Sequence, residues 1–315
     1  MTDFEHVSVM PDEVIEYLQP RPGGTYFDGT AGAGGHSKRI LESAPDSRVI
    51  AVDRDPAMLE IAAERLAEYG DRVTLRRASY EDLLDVLGEL HIEKGIDGVL
   101  IDCGPSRDQL AGRTAGRGRG FSIWGGDEPL EMAYNPDQAR TAKSLLAELS
   151  QSELREVFGR TLRGGEVRSV VRTILREREQ EPIDTPERLT QVLRDALSFK
   201  GPDVDKRVMA AYLALRIAVN EELEGLAQGI DAAVSALRAG GRLVVLTFHG
   251  SEHRIARRKL RDLEGGPIGP PRLIGGPERE AKVKVITPSP LYPSDEEIEQ
   301  NPAARSARLH AAERL

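Results

Sequence analysis

Two short segments hold the residues best placed to do chemistry: "DGTAGAGGHS", which begins at Asp28, and "IDCGPSRDQL", which begins at Ile101. Each follows a short apolar run. A loop of small residues such as the first lets backbone N–H groups approach a ligand at the amino end of a helix. The second places the carboxylate of Asp102 and the thiol of Cys103, the only cysteine, at a strand tip.

The glycine spacing indicates which ligand the first loop takes. Ser37 stands where the third glycine of G-x-G-x-x-G would follow Gly32 and Gly34, so the dinucleotide pattern is not matched. Asp53, at the end of the next apolar run, suits a ribose with two free hydroxyls. Together they favour an adenosine-containing cofactor other than NAD, and S-adenosylmethionine fits because it needs no phosphate cradle. The alternative is that the glycines serve only a tight turn and that Asp53 caps the following helix.

The elements that position these residues alternate in type. Apolar runs at 24–30, 48–53, 72–77 and 97–102 are separated by helical patterns, which predicts an α/β fold with a parallel sheet. Further strands are predicted at 241–249 and 281–286, followed by a polar tail. The interval between Asp102 and Gly241 far exceeds the roughly 30 residues of a βαβ unit. We therefore expect an insert, helical from about 141 to 199, that serves as a lid or substrate platform.

Composition narrows the class of protein. The 315 residues carry a net charge of −9, which argues against a general polyanion binder, although local basic patches remain open. One cysteine and the lack of a leader-like or membrane-spanning apolar run predict a cytoplasmic protein with no membrane role. Two basic patches are candidates for phosphate contact: the segment "HRIARRKLR" from His253 and the loop arginines Arg107, Arg113, Arg117 and Arg119.

Several longer segments carry a family resemblance. "HVSVMPDEV", "DGTAGAGGHS", "VDRDP", "LRIAVNEEL" and "NPAARSARLHAAERL" resemble, in order and spacing, the bacterial small-subunit ribosomal RNA cytosine-N(4) methyltransferase family over nearly the whole chain. The resemblance implies a Rossmann-like class I methyltransferase with a doubly wound, mostly parallel sheet and an inserted helical domain. It places the S-adenosylmethionine-binding methyltransferase domain at 1–112 and 216–315 and the inserted substrate-recognition domain at 113–215.

The resemblance also implies the reaction and its residues. The cofactor is S-adenosyl-L-methionine with no metal, the substrate is cytidine in 16S ribosomal RNA or the assembled small subunit, and a homodimer is kept open. The resemblance implies cofactor contacts at Gly34, Gly35, His36, Asp53, Tyr80, Asp102 and Gln109, and the glycine loop itself adds Asp28 and Gly32 as candidates. The candidate catalytic residues are Asp102 and His249, each at the tip of a predicted strand. The substrate-binding candidates are Arg107, Trp124, Arg254, Arg257 and Arg258.

Asp102 has the clearest chemical role. A cytosine exocyclic amine is a poor nucleophile because its lone pair is delocalised into the ring, and an accepting carboxylate draws that pair out and favours the developing positive charge. The alternative is an Asp that caps a turn. Cys103 could attack the ring as in cytosine-C5 methylases, but a small buried hydrophobe is the favoured interpretation.

For one histidine and two aromatic residues, the sequence leaves both a substrate-binding role and a structural role open. His249 either hydrogen-bonds the base or phosphate, or is a buried, satisfied histidine. Trp124 and Phe121 lie in a glycine-rich stretch, where docking on the core is expected more often than stacking on a base.

The chain also departs from the family pattern. D-L-G-V-S-S is replaced by "DCGPSR", and the polar positions of G-P-L-D-M-R-M-D become Glu131, Ala133 and Asn135; Ala210 stands where Arg is expected. Either compensating contacts preserve the activity, or the chain is a paralogue that binds cofactor and RNA but is inactive or methylates another acceptor. A nicotinamide oxidoreductase is a third hypothesis, against which the glycine spacing counts.

Overall fold

A seven-stranded sheet forms the centre of the first unit of the computed structural model, which describes residues 8–110, 118–267 and 278–315. Its order is β3-β2-β1-β4-β5-β9-β8, and every pair is parallel except those made by β9. The strands are β1 Thr25–Asp28, β2 Arg48–Asp53, β3 Val73–Arg77, β4 Ile96–Asp102, β5 Leu237–Thr247, β8 Val283–Val285 and β9 Arg308–Arg314. A separate pair is formed by β6 Gly266–Pro267 and β7 Glu278–Arg279.

Helices cover both faces of this sheet. Leu100 in β4 faces one apolar cluster, whereas Val99 and Ile101 face the other, so the strand is apolar throughout. The first cluster is covered by α1 Pro11–Leu18, α2 Gly35–Ser43 and α3 Pro56–Leu66, and the second by α4 Leu83–Glu89, α11 Glu222–Ala236 and α12 Gly250–Leu263. A short helix, α13 Asp295–Gln300, precedes β9. The predicted doubly wound, Rossmann-like arrangement is confirmed.

The strand order reverses between β1 and β4. In open α/β sheets, ligands bind in the crevice outside the carboxyl ends of the strands at such a switch point. Asp28 ends β1 and Asp102 ends β4, so the fold brings both predicted site carboxylates to this crevice.

The predicted polar tail is wrong. Residues 308–314 form β9, which runs antiparallel between β5 and β8, with Leu309 and Ala311 in one apolar cluster and Ala312 in the other. The sequence pattern is weak because alanine has little strand preference and the flanking residues are charged. Burial between two neighbouring strands overrides that preference.

The inserted segment forms the second unit. The chain divides into Met1–Gly104 with Leu223–Leu315, and Pro105–Glu222, whereas the sequence placed the joints at 112 and 216. The helices of the second unit are α5 Arg107–Leu110, α6 Ala142–Glu148, α7 Gln151–Gly159, α8 Gly164–Glu177, α9 Pro186–Leu197 and α10 Val204–Asn220. Helices α6 to α10 enclose an apolar core of their own, which includes Phe158, Leu193 and Leu215. None of the helices in the described residues is long and apolar enough to span a bilayer.

Candidate active site

The loop after β1 is tied to the two strands beside it. Gly29 N–H donates to Leu100 O at 2.8 Å and Ala31 N–H donates to Val52 O at 2.8 Å. Gly32 and Gly34 have φ of +48° and +80°, values that L side chains rarely adopt, and a Cβ on Gly34 would lie 3.2 Å from the side chain of Leu66. The glycines therefore serve the turn and also bring its backbone close to α2, which begins at Gly35.

Asp28 lies under this loop, fully buried. Its Oδ2 accepts from Ser37 Oγ–H at 2.6 Å and its Oδ1 accepts from Thr30 N–H at 3.2 Å. Burial raises the pKa of the Asp28 carboxyl to about 6, against the lowering effect of the Ser37 hydrogen bond and of nearby His36. In the sequence, Ser37 is distinguished only as a mismatch to a glycine motif. Its place in the first turn of α2, after "GGH", was the available signal.

Asp53 joins the same loop from β2. Its Oδ2 accepts from Gly32 N–H and its Oδ1 from Asp55 N–H, both at 2.9 Å. Desolvation raises the pKa of the Asp53 carboxyl to about 6 despite these two backbone donors. The cap of α3 is Asp55, which accepts from Ala57 N–H at 3.1 Å, so the helix-capping alternative for Asp53 is wrong.

His36 and Asp102 face each other across the crevice. His36 Nε2 lies 3.6 Å from Asp102 Oδ2, and the Asp102 backbone N–H donates to Thr30 Oγ1 at 2.9 Å. His36 is 6% exposed, and within the described residues neither of its ring nitrogens nor Asp102 Oδ1 has a hydrogen-bond partner. Buried polar atoms without partners are costly, which makes them indicators of a ligand. The His36 ring nitrogens, beside Asp102 Oδ2, fit the charged amino-acid end of S-adenosylmethionine, and Asp102 Oδ1 is left facing the crevice.

Tyr80 forms a wall of the site in the single turn Tyr80–Asp82 after β3. A Cβ on Gly229 of α11 would lie 2.5 Å from Tyr80 Cδ2, and one on Gly29 would lie 2.6 Å from Tyr80 Cβ. Two glycines therefore hold the ring between the loop and α11, a contact that no local sequence pattern indicates. The ring offers a flat face suited to an adenine.

Gln109 is already engaged within the second unit. Its side-chain Oε1 accepts from Ser106 N–H at 2.9 Å, and its own N–H donates to Ser106 Oγ at 3.1 Å. Its contact with the cofactor stays a prediction. Cys103 is buried in the apolar cluster under α11 and α12, which confirms the packing interpretation of that residue.

His249 caps α12. Its Nδ1 accepts from Glu252 N–H at 3.4 Å and its Nε2 lies 3.0 Å from Glu252 Oε1. Glu252 Oε2 in turn accepts from the N–H groups of Phe248 and His249 at 2.7 and 3.2 Å. This reciprocal capping box accounts for His249 structurally, so its catalytic role stays a prediction.

The basic segment of α12 presents one exposed stripe. Arg254, Arg257 and Arg258 are all exposed and recur at the i, i+3 and i+4 spacing of one helix face. Arg254 donates to Ser251 Oγ at 2.9 Å. The stripe is exposed along its length, and the RNA contact of these arginines stays a prediction.

Trp124 is 73% exposed and does not dock on the core, so the docking expectation is wrong for it. Phe121 and Ile123 fill the core instead, Phe121 stacking on Tyr134 with ring centroids 5.7 Å apart. The Trp124 ring carries the Arg194 guanidinium 5.7 Å from its centroid. Docking is wrong because two flanking side chains already occupy the apolar site.

Arg119 is not part of a phosphate-facing patch. It is buried and donates to the carbonyls of Ala133 and Tyr134 at 3.0 and 3.1 Å. Ala133 is one of the departures from the family pattern, where an Arg is expected, and Arg119 brings a guanidinium to that backbone. Arg113 and Arg117 lie outside the described residues, and for Arg107 only the backbone is described.

The other departures make hydrogen bonds within the second unit. Glu131 N–H donates to Arg119 O at 3.2 Å, Asn135 Oδ1 accepts from Asp137 N–H at 2.9 Å, and Ala210 O accepts from Thr161 Oγ–H at 2.6 Å. Each substituted residue thus has a partner in a fold that accommodates it.

Comparisons with known proteins cover the whole chain. The model of the family described as the MraW methylase family matches residues 3–315. The chain is 41% identical to the ribosomal RNA small subunit methyltransferase H of Geotalea uraniireducens, covering 100% of both chains. It is 39% identical to the protein of the same name from Heliobacterium modesticaldum, covering 99% of both. Among solved structures, an rRNA methylase from Streptococcus thermophilus is 10% identical, with 100% of this chain and 99% of that one covered and a TM-score of 0.40.

Proposed function

The chain belongs to the MraW methylase family, and from that premise we propose that it is an S-adenosyl-L-methionine-dependent methyltransferase of small-subunit ribosomal RNA whose acceptor is the N(4) amine of a cytidine. The full-length relatives carry the name of an rRNA small subunit methyltransferase. The observation that carries the proposal furthest is the buried, unpartnered Oδ1 of Asp102 at the switch point.

S-adenosyl-L-methionine supplies, when bound, a methyl group activated by a sulfonium. The glycine loop would hold it, with Gly32, Gly34 and Gly35 leaving room for close backbone approach. The charged end fits His36 and Asp102, the ribose fits Asp53, and the adenine fits the face of Tyr80. Asp28 supports the loop from below, and Gln109 is a further proposed contact.

Asp102 performs the step that a cytosine amine requires. Its carboxylate accepts a hydrogen bond from the N(4) amine, draws the lone pair out of conjugation and favours the positive charge that develops as the nitrogen gains the methyl group. Oδ1 then takes the proton that the cationic nitrogen releases. Fixing the amine in line with the transferred carbon supplies roughly 7 to 11 kcal/mol through orientation. No metal is needed, because the leaving sulfur departs neutral.

The substrate RNA needs contacts beyond the reacting base, which must be unstacked to enter the site. We assign backbone contacts to Arg254, Arg257 and Arg258, a base-stacking role to the exposed ring of Trp124, and a phosphate contact to Arg107. His249, at the tip of β5, is proposed to hydrogen-bond the base or its phosphate while it caps α12.

The deciding experiment supplies the purified chain with S-adenosylmethionine and small ribosomal subunits from a strain that lacks this modification, followed by mass spectrometry of the digested RNA. We expect N(4)-methylcytidine at one position. Asp102→Asn lowers the rate about 100-fold or more, whereas the matched exposed control Asp46→Asn retains it. Cofactor binding in calorimetry with RNA that stays unmodified, or a methyl group on another atom, would overturn the proposal.

A further inference from the structure

Two histidines outside the site stack where α12 packs on β9. His253 Nδ1 lies 3.2 Å from His310 Nε2, and the two rings have centroids 5.1 Å apart at an interplanar angle of 29°. His310 is buried on the α12 face of the sheet, and His253 is partly buried. Neither residue has a role in the proposed methyl transfer.

Guanidinium groups surround this pair. Arg254 and Arg257 on α12 and Arg308 on β9 act on the rings, and all these charges are positive. The pKa of His253 is lowered below its ordinary value, mainly by burial and then by these positive charges. The pKa of His310 is lowered to about 4, again mainly by burial, and then by His253 and the arginines. Both rings therefore favour the neutral form more than a free imidazole does.

The acidic groups on the neighbouring elements are engaged elsewhere. On β9, Glu313 pairs with Arg242 of β5 at 2.7 Å, and at the far end of α12 Glu264 accepts from Val285 N–H of β8 at 3.2 Å. Glu252 is buried in the cap of α12. Three ion pairs involve the other charged groups of these elements: Lys259 with Asp231, Asp262 with Arg279, and Arg238 with Asp97. The remaining cations are Arg258, Arg261, Lys284 and Arg314.

An exposed aromatic ring lies beside the same cations. Tyr292 is 62% exposed, and the Arg308 guanidinium lies 6.0 Å from its ring centroid. An aromatic face with an arginine beside it stacks on any nucleobase, and the arginine adds a cation–π contribution. A cationic patch on a chain of net charge −9 indicates an anionic partner that binds locally rather than through bulk charge.

We propose that these six residues, the histidine–arginine patch of His253, Arg254, Arg257, Tyr292, Arg308 and His310, bind a phosphodiester and a neighbouring base of single-stranded RNA, with uptake of a proton by the histidine pair. A phosphate among the three guanidiniums offsets their positive field, which together with burial lowers the pKa of the two imidazoles. A protonated ring then donates a further charge-assisted hydrogen bond. That the partner is RNA rests on the proposed function; the proton uptake rests on the geometry of the patch.

The test measures binding of the full chain to a fluorescein-labelled single-stranded RNA of ten nucleotides between pH 5.5 and 7.5 at fixed salt. Because the complex holds the proton more tightly, the affinity rises as pH falls, by up to about tenfold per pH unit for one proton. The double variant His253→Gln with His310→Gln removes this dependence, while the exposed control His91→Asn keeps it.

The arginines are tested by their effect on salt dependence. Arg257→Gln and Arg308→Gln each weaken binding about three- to tenfold and lower the salt slope by about 0.7, the value for one phosphate contact on a single strand. Arg48→Gln, an exposed arginine at the amino end of β2, leaves both unchanged. NMR of the histidine rings reports independently: titration with the same RNA shifts two of the six histidines to a higher pKa.

The proposed patch is refuted if the affinity for RNA does not change with pH. It is also refuted if Arg308→Gln binds RNA as tightly as Arg48→Gln. Methylation of small subunits is assayed on the same preparations, so the two failures are distinct. A chain that binds RNA with proton uptake but methylates nothing refutes the proposed function and leaves the patch. A chain that methylates subunits but binds RNA without proton uptake refutes the patch and leaves the proposed function.

Discussion

Asp28→Asn is predicted to stabilise the first unit at neutral pH. Asp28 is fully buried beneath the glycine loop, where it accepts from Ser37 and Thr30. An asparagine of the same shape keeps the Thr30 hydrogen bond through its oxygen, and its amide donates to Ser37 Oγ, because a hydroxyl serves as donor or acceptor. The substitution thus removes a buried charge and keeps both side-chain contacts of residue 28.

The magnitude follows from the pKa of Asp28. Burial raises it from 3.8 to about 6, so the folded protein holds the proton more tightly than the unfolded chain. Wild type therefore loses stability as pH rises through this interval, at about 1.4 kcal/mol per pH unit. The variant does not. Its free energy of unfolding exceeds that of wild type by about 3 kcal/mol at pH 7.5 and by about half of that at pH 5.

Urea unfolding followed by far-ultraviolet circular dichroism measures this difference at both pH values. Asp46→Asn, an exposed site with φ of +57° that asparagine tolerates, is the matched control and changes the unfolding midpoint little. The reasoning is refuted if Asp28→Asn is no more stable than wild type at pH 7.5, or if any gain is the same at pH 5.

Three further substitutions test other contacts. Gly229→Ala places a Cβ 2.5 Å from the Tyr80 ring, so calorimetry is expected to show S-adenosylhomocysteine binding weakened about tenfold, and unchanged affinity would contradict the role of Tyr80. Cys103→Ala leaves a small cavity that lowers the free energy of unfolding, measured in urea, by about 1 to 2 kcal/mol, yet methyl transfer continues. If the variant folds but transfers no methyl group, ring attack by the thiol is supported instead. Arg119→Ala removes two buried hydrogen bonds and lowers the free energy of unfolding by about 2 to 4 kcal/mol, whereas an unchanged urea midpoint would mean that Arg119 is dispensable.

Strands with two buried faces were predictable from the sequence. β2 coincides with the predicted run at 48–53 because a strand packed on both sides must be apolar along its length. β9 was not predictable from local pattern: its burial depends on β5 and β8, which are distant in sequence, and alanines at 311 and 312 suit any structure.

The candidate site was also predictable from the sequence only in part. The loop glycines and the strand-end carboxylates of Asp28, Asp53 and Asp102 follow from order and spacing, because the ends of neighbouring parallel strands meet at one edge of a sheet. The Ser37 hydrogen bond and the fit of Tyr80 against Gly229 depend on helix rotation and on packing, which residue types alone do not specify.

The position of β5 beside β4 has a consequence for synthesis of the protein. During translation β1 to β4 emerge long before Leu237, so one edge of β4, apolar on both faces, has no strand to pair with while the intervening segment is made. At roughly 5–20 residues per second this exposure lasts on the order of ten seconds, long enough for edge-to-edge association of nascent chains. We expect low temperature and chaperone supply to govern the yield of soluble protein in recombinant expression, more than the stability of the finished fold.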